Sequence, residues 1–200
     1  MTRDGRARGR LFCRAQKETS RVEEQRRGLF SAFSCWEMTA MLDPQRAYEF
    51  LTRGNLAVMS TVSENGEPEA ALINYGVTRE LELIFETLQT SRKYESLRFN
   101  PHAALVMGFE NECETCQYEG IVDRPDEYEL PPLLETYFAA RPDALAHRGW
   151  PDLIYLRIRP CWLRISNYSL HWRVEEIDLR KSPKVRNRGP ESSGIPVPLF

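Results

Sequence analysis

The sequence predicts a mainly β protein, a closed antiparallel barrel of six to eight short strands with flanking helices. About seven or eight short β-rich segments recur along the chain, several with strictly alternating apolar residues. An Asn-Gly hairpin signal lies in the segment 64–67, between two of these segments. Helical patterns occur at only three places, which disfavours a parallel sheet built from regularly alternating strands and helices.

The two ends of the chain have a different composition from its middle. Residues 1–40 are rich in Arg, Gly, Ser and Glu; Met1 to Glu37 contains nine Lys and Arg against five Asp and Glu, a net charge of +4. Such a segment buries too little apolar surface to offset its ordering entropy. We therefore predict a disordered basic arm over 1–40, a folded domain over 41–179, and a flexible basic Pro- and Gly-rich tail over 180–200.

Composition and charge argue against several classes of function. The formal net charge is −2, and the basic arm lacks the interleaved aromatic residues of a nucleic-acid-binding surface. No apolar run approaches the ~20 residues of a membrane span, and no signal-peptide core follows the basic start. We expect a cytoplasmic protein without nucleic-acid or membrane partners. The lone pair Cys113 and Cys116 is too small a ligand set for zinc, so no metal site is predicted.

The first half of the folded region begins with a helix. Asp43 is its expected N-cap, Pro44 fits the first turn, and Gly54 ends it. The three strands expected next span 55–63, 69–77 and 80–86. A second helix is predicted from Ser91 to Asn100, where Pro101 stops it.

The second half contains the remaining strands and one further helix. We predict a strand over 103–109, apolar enough to be buried on both faces, and a helix over 125–140 that is interrupted near Pro131 and Pro132. Four further strands are expected at 116–123, 153–159, 162–168 and 171–177. In 153–159, apolar residues alternate with Tyr155, Arg157 and Arg159.

The second helix and the strand before it form a predicted anion-binding corner. The strand delivers Thr87, and the helix opens with Ser91, Arg92 and Lys93. A helix N-terminus offers free amide groups and a partial positive charge, and two basic side chains add to both, so the corner suits a phosphate group. The alternative is a plain capping serine followed by two solvated bases.

The order of motifs resembles the pyridoxamine 5′-phosphate oxidase-related FMN-binding split-barrel family. The resemblance covers about 42–177. It rests on Phe85-Glu86-Thr87, Ser91-Arg92-Lys93, Asn100-Pro101 with the strand Ala103 to Val106, Glu119-Gly120, and Tyr137-Phe138 followed by Arg141-Pro142.

This resemblance implies a homodimer with FMN in a cleft between the two subunits, and a small-molecule substrate. The residues it implies for the cofactor are Asn74, Thr87, Ser91, Arg92, Lys93, Thr115, Trp162 and Arg164, and those for the substrate are Tyr137 and Arg141. Trp162 is equally open to interpretation as a barrel-core aromatic, and Arg141 as a charge at a helix end. No catalytic side chain is implied.

The chain also departs from that family's pattern. The strand Ala70 to Asn74 lacks the family's Arg and Lys, and Leu145 stands where a serine is expected. We therefore expect an FMN-dependent oxidoreductase related to pyridoxamine 5′-phosphate oxidase, with an unidentified substrate. A reductase of the same fold that uses a deazaflavin coenzyme is one alternative. A flavin- or haem-binding stress protein without turnover is another.

Overall fold

The computed structural model of the chain describes residues 39–108, 113–169 and 173–180. The first strand already begins at Thr39, two residues before the predicted start of the domain at 41. The rest of the predicted arm, and the predicted tail beyond Arg180, lie outside the described residues.

Within these residues, nine strands form one sheet. They are β1 (Thr39–Met41), β2 (Leu56–Val62), β3 (Pro68–Asn74), β4 (Gly76–Val77), β5 (Leu83–Leu88), β6 (His102–Met107), β7 (Glu114–Asp123), β8 (Leu153–Asn167) and β9 (Arg173–Asp178). Neighbouring strands follow the order β1-β9-β8-β7-β6-β2-β3, and β5 pairs with both β4 and β8. The helices are α1 (Pro44–Leu51), α2 (Arg92–Phe99), α3 (Leu130–Ala140) and a 3-10 helix (Pro142–His147).

The prediction of a mainly β split barrel with flanking helices is confirmed, but the prediction that the barrel closes is wrong for the described residues. All pairs between described strands are antiparallel except β1 with β9. Seven of the described strands have six residues or more. The count exceeds the predicted six to eight because the structure adds the short strands β1 and β4. Within the described residues β3 and β5 lie side by side without pairing, so the sheet curls but stays open.

The longest strand corrects the prediction of two separate strands on either side of Pro160. β8 runs without a break for 15 residues and pairs with β5 over its first part, with β9 over its last part, and with β7 across most of its length. Pro160 is accommodated because the register with β7 shifts at Glu119 and Gly120, which leaves Cys161 as the additional residue of a bulge.

The strand β6 corrects a second prediction, because only one of its faces is covered. Ala103, Leu105 and Met107 are buried, whereas Ala104 and Val106 are exposed. The sequence of this strand is apolar on both sides, but no described element packs on the outer side. An apolar face of the sheet is therefore left in contact with solvent.

Helix starts follow local capping chemistry. Asp43 caps α1 by accepting a hydrogen bond from the Gln45 amide, as predicted. The prediction of an interrupted helix near Pro131 and Pro132 is wrong: both prolines lie in the first turn of α3, where a missing amide hydrogen costs little. Before them, the carboxylate of Asp126 accepts from the amides of Tyr128 and Glu129 and holds a turn instead of helix. Among the described residues, no helix has the length and apolar character to cross a membrane.

Candidate functional site

The predicted anion-binding corner is assembled at the start of α2. Ser91 has the extended backbone of an N-cap, and its hydroxyl accepts from the Tyr94 amide at 3.4 Å. The Thr87 hydroxyl, at the end of β5, lies 3.0 Å from the Ser91 hydroxyl. We call Thr87, Ser91, Arg92 and Lys93 the α2 corner. The Tyr94 amide is bonded to Ser91, so the first-turn amides that remain available to an anion are those of Arg92 and Lys93.

The two basic side chains of the α2 corner make few contacts with acidic groups. The Arg92 side chain is 80% exposed, and its Nε lies 3.8 Å from the nearest Glu69 oxygen, which is too long for a hydrogen bond. Within the described part of the chain Lys93 makes no ion pair. An exposed ion pair of this kind contributes little to stability, so both charges remain available to a ligand.

One side of the α2 corner is acidic. Arg92 lines a groove between the β2–β3 hairpin and α2, together with the carboxylates of Glu64, Glu67, Glu69 and Glu95. An anion on Arg92 would be repelled on this side. Only the opposite side of Arg92, towards Lys93 and the helix amides, suits a phosphate.

The remaining predicted cofactor residues lie elsewhere on the sheet. Thr115 is on β7, opposite Ser166 of β8, and its side chain hydrogen-bonds to that of Tyr168, which contributes to lowering the Tyr168 pKa. Trp162 and Arg164 follow each other on one face of β8, and both are half-buried. The Arg164 Nε is buried without a hydrogen bond and lies 3.6 Å from a Glu176 oxygen.

Within one chain these residues form two separate groups. Thr87 pairs with Ile154 at the start of β8, whereas Trp162 lies eight residues further along the same strand. At roughly 3.3 Å per residue the separation is about 26 Å along the strand. The α2 corner and the Trp162 group therefore do not form one site in a single copy of the chain.

An exposed apolar stripe crosses the outer face of the sheet between β3 and β6. Leu72 of β3, Val58 of β2 and Val106 of β6 are direct neighbours in register, and Leu72 is 60% exposed. The apolar residues of the predicted strand 153–159 do not contribute to this stripe. Ile154, Leu156 and Ile158 are buried in the chain's own core.

Asn74 ends β3 at the side of the sheet that α3 covers. It is half-buried and pairs with Leu56. Two residues further on, a Cβ on Gly76 would lie 2.8 Å from the Tyr137 Cα, so only glycine allows α3 to approach the sheet this closely. Asn74 and Tyr137 consequently belong to the same region of the molecule.

The two predicted substrate residues flank the end of α3. Tyr137 is completely buried, and burial first, then the charge of Glu86, raise the pKa of its hydroxyl. Arg141 donates from Nε and from a terminal nitrogen to the two oxygens of Asp143. The guanidinium of Arg141 is thus already paired within the chain.

Sequence reasoning missed a set of charged residues beneath and beside α3. Glu86 of β5 accepts from His147 Nδ1 of the 3-10 helix at 2.8 Å, and it lies opposite Tyr155 of β8. The sequence signal for this set was one acidic residue, Glu86, near the end of a mostly apolar strand. The structural partners of Glu86 are distant in sequence.

Arg157 makes the most side-chain hydrogen bonds of these residues. Its side chain is 5% exposed and donates two hydrogen bonds of 2.9 Å to Asp123 and two, of 3.2 and 3.0 Å, to Glu129. Glu82 lies 3.7 Å away. Because Glu129 directly precedes α3, this arginine ties the start of the helix to β7 and β8.

A family model described as pyridoxamine 5′-phosphate oxidase matches residues 44–164 of the chain. A curated pyridoxine/pyridoxamine 5′-phosphate oxidase from Burkholderia mallei is 32% identical over 113 residues, which are 56% of this chain and 48% of that protein. The chain therefore spans about half the length of the curated relatives it matches.

Solved structures share the fold at low sequence identity. A haem-binding protein from Mycobacterium smegmatis superposes with a TM-score of 0.59 at 15% identity, over 70% of this chain and 60% of that one. A protein from Clostridium acetobutylicum related to general stress protein 26, of the pyridoxinephosphate oxidase family, has a TM-score of 0.54 at 15% identity, over 70% and 98%. At these identities the likeness is one of fold.

Proposed function

We propose, since this chain belongs to the pyridoxamine 5′-phosphate oxidase family, that it is an FMN-dependent oxidoreductase that works as a homodimer. The family relationship supports a flavoprotein of the oxidoreductase type. The choice of FMN, the dimer and the positions of the contacts are inferences from the residues described above.

The observation that carries the proposal is the α2 corner. A helix N-terminus, two adjacent basic side chains, and the paired hydroxyls of Thr87 and Ser91 meet at one point. Among the described residues the ion pair of these bases is that of Arg92 with Glu69, at 3.8 Å. These groups fit the dianionic phosphate of a flavin mononucleotide in charge and in hydrogen-bonding capacity.

A flavin supplies the hydride-transfer chemistry when it is bound, and the protein's task is to hold and orient it. Arg92, Lys93 and the first-turn amides of α2 would hold the phosphate, and Ser91 and Thr87 would hydrogen-bond close to it. The outer edge of β3, which ends at Asn74, offers backbone donors and acceptors that no strand pairs with among the described residues.

The dimer follows from the separation of the two groups of cofactor residues. One flavin cannot contact both the α2 corner and the Trp162 group of a single copy, because they are about 26 Å apart along β8. A second copy packed on the outer face of the sheet would bring its own Thr115, Trp162 and Arg164 to the α2 corner of the first, and would cover Leu72 and Val106.

The phosphate contacts are tested by replacing Arg92 and Lys93 with alanine, singly and together. A charge-assisted hydrogen bond contributes about 1.5–3 kcal/mol, so each substitution should weaken FMN binding about ten- to more than a hundred-fold. Affinity is measured by quenching of flavin fluorescence at low and high salt. Arg124→Ala, which removes an exposed arginine elsewhere, is the matched control.

Equal dissociation constants for the double variant and the unaltered protein would refute the phosphate assignment. The same titration with a deazaflavin coenzyme and with haemin separates the alternatives. Tight binding of either compound, with no binding of FMN, would identify that compound as the cofactor instead of FMN.

The dimer is tested by Leu72→Glu, which places a charge in the centre of the exposed stripe. Sedimentation equilibrium at micromolar concentration should show a dimer for the unaltered protein and a monomer for the variant, and FMN affinity should fall with dimer content. Glu127→Lys, an exposed change in the turn before α3, is the control for a surface charge substitution. A monomeric unaltered protein that binds FMN tightly would contradict the intersubunit site.

A further inference from the structure

Three buried oxygen atoms without hydrogen-bond partners lie together beneath α3. They are Oε2 of Glu86, the Tyr137 hydroxyl and the Tyr155 hydroxyl. Glu86 and Tyr155 are direct partners in the β5–β8 register, and the Tyr137 ring packs 6.0 Å from the Tyr155 ring. Buried polar groups are nearly always hydrogen-bonded, because desolvation without a partner is costly. Three such atoms from three elements therefore indicate an occupant.

The charge of this cluster is negative. Glu86 receives one hydrogen bond, from His147 to its Oε1, which leaves Oε2 unpaired. Two arginines act on the tyrosines of the cluster. Arg141 is engaged by both oxygens of Asp143, and Arg148 lies over the Phe138 ring and partly offsets the effect of Glu86 on Tyr155. Burial first, and then the charge of Glu86, raise the pKa of both tyrosines, so their hydroxyls stay protonated and neutral. The Tyr137 hydroxyl faces Glu86, and this contact raises the Tyr137 pKa further.

A phosphate group does not suit these surroundings. It would bring negative charge next to the carboxylate of Glu86 and would have to compete with Asp143 for Arg141. A group with several N–H donors and a positive charge suits them, since the carboxylate oxygen and the two phenol oxygens can each accept one hydrogen bond.

We propose that Glu86, Tyr137 and Tyr155 form a binding site for the ammonium group of a small-molecule ligand. The ligand enters beside His147 and Glu86, whose side chains are the partly exposed members of the cluster. The interpretation of this ligand as a substrate rests on the proposed function. It differs from the substrate-phosphate role that the family resemblance implies for Tyr137 and Arg141.

The first experiment uses the full-length protein and methylammonium chloride as the probe. Calorimetric melting should show an upward shift of about 3–5 °C at roughly ten times the dissociation constant. Tetramethylammonium has the same charge without N–H donors and should cause no shift at equal ionic strength. Sodium phosphate should cause none either. Stabilisation by phosphate, equal shifts with both ammonium ions, or no shift with methylammonium would overturn the proposal.

The second experiment removes one hydroxyl at a time. Tyr137→Phe and Tyr155→Phe should abolish most of the methylammonium shift, while the ligand-free protein melts at the same or a higher temperature, because an unsatisfied buried hydroxyl has been removed. Tyr128→Phe, at a tyrosine that is 82% exposed, is the matched control and should keep the full shift. A lower melting temperature of the ligand-free phenylalanine variants with an unchanged methylammonium shift would show that the hydroxyls have a purely structural role and would overturn the proposal.

Glu86→Gln tests the charge while keeping the shape of the side chain. It should weaken methylammonium binding about tenfold or more. Titration of these variants with FMN separates the two proposals. Unchanged flavin affinity with lost methylammonium binding supports the ammonium site alone. Absence of flavin binding in the unaltered protein would refute the cofactor assignment and leave the ammonium site standing.

Discussion

The α2 corner and the face of β5 and β8 that α3 covers both carry arginine next to carboxylates, but the two regions differ in how fully the charges are paired. Arg92 is 80% exposed and 3.8 Å from one glutamate oxygen. Arg157 is 5% exposed and makes four hydrogen bonds to Asp123 and Glu129. An arginine that uses four of its five donors inside the chain holds elements together, whereas an arginine with mostly unused donors is available to a ligand.

The same contrast applies to hydroxyl groups. Thr87 and Ser91 hydrogen-bond to each other at the α2 corner, close to free helix amides. Tyr137 and Tyr155 are buried without partners under α3. In the described part of the chain, buried hydroxyls without partners mark the region under α3, and exposed basic side chains with few partners mark the α2 corner, as places that a ligand could complete.

The largest expected effect comes from Arg157→Met. Removing the guanidinium leaves Glu129 without its partner and Asp123 with Arg159 alone. Because both carboxylates are 30% exposed, the cost should be about 3 kcal/mol, the lower end of the range for breaking a buried charge pair. Urea denaturation should therefore show a much lower midpoint.

Arg92→Met is the control for that experiment, since it removes the same charge from the α2 corner. An exposed ion pair contributes about 0–1 kcal/mol, so the midpoint should hardly change. Similar losses for the two variants would contradict the distinction between structural and ligand-ready arginines.

A smaller effect is expected from Glu129→Gln, and it should depend on pH. The hydrogen bond from Arg157 is the main reason that the pKa of Glu129 is below its ordinary 4.5. A carboxylate whose pKa is lower in the folded state stabilises the fold above pH 4.5, and this stabilisation is lost as the pH falls through the lower folded-state pKa.

At pH 7 the substitution should therefore cost about 1 kcal/mol, because Glu129 is partly exposed and glutamine keeps one acceptor oxygen. The measurement is a series of urea titrations between pH 7 and pH 2. The difference between the two proteins should shrink as the pH approaches 2. A difference that is constant over this range would mean that the charge of Glu129 does not stabilise the start of α3.

Local sequence determined the elements whose signals lie within a few residues of one another. Asp43 and Ser91 cap α1 and α2 because each accepts hydrogen bonds from amides only two or three positions further on. The Asn65-Gly66 hairpin and the alternation of strands are equally local, and with them the split barrel was predictable. The α2 corner was predictable for the same reason, since Thr87 and Ser91 are four residues apart.

Only the tertiary structure decided the features that depend on a distant partner. Whether Pro160 ends a strand was settled by a bulge opposite Gly120 of β7, and which face of β6 is covered was settled by what packs there. Tyr155 meets Glu86 because β5 and β8 pair in one particular register, 69 residues apart in sequence. Burial and pairing of a side chain depend on the elements around it. From the sequence alone, Glu86, Glu129 and Arg157 can be interpreted as solvated charges, whereas the fold encloses and pairs them under and beside α3.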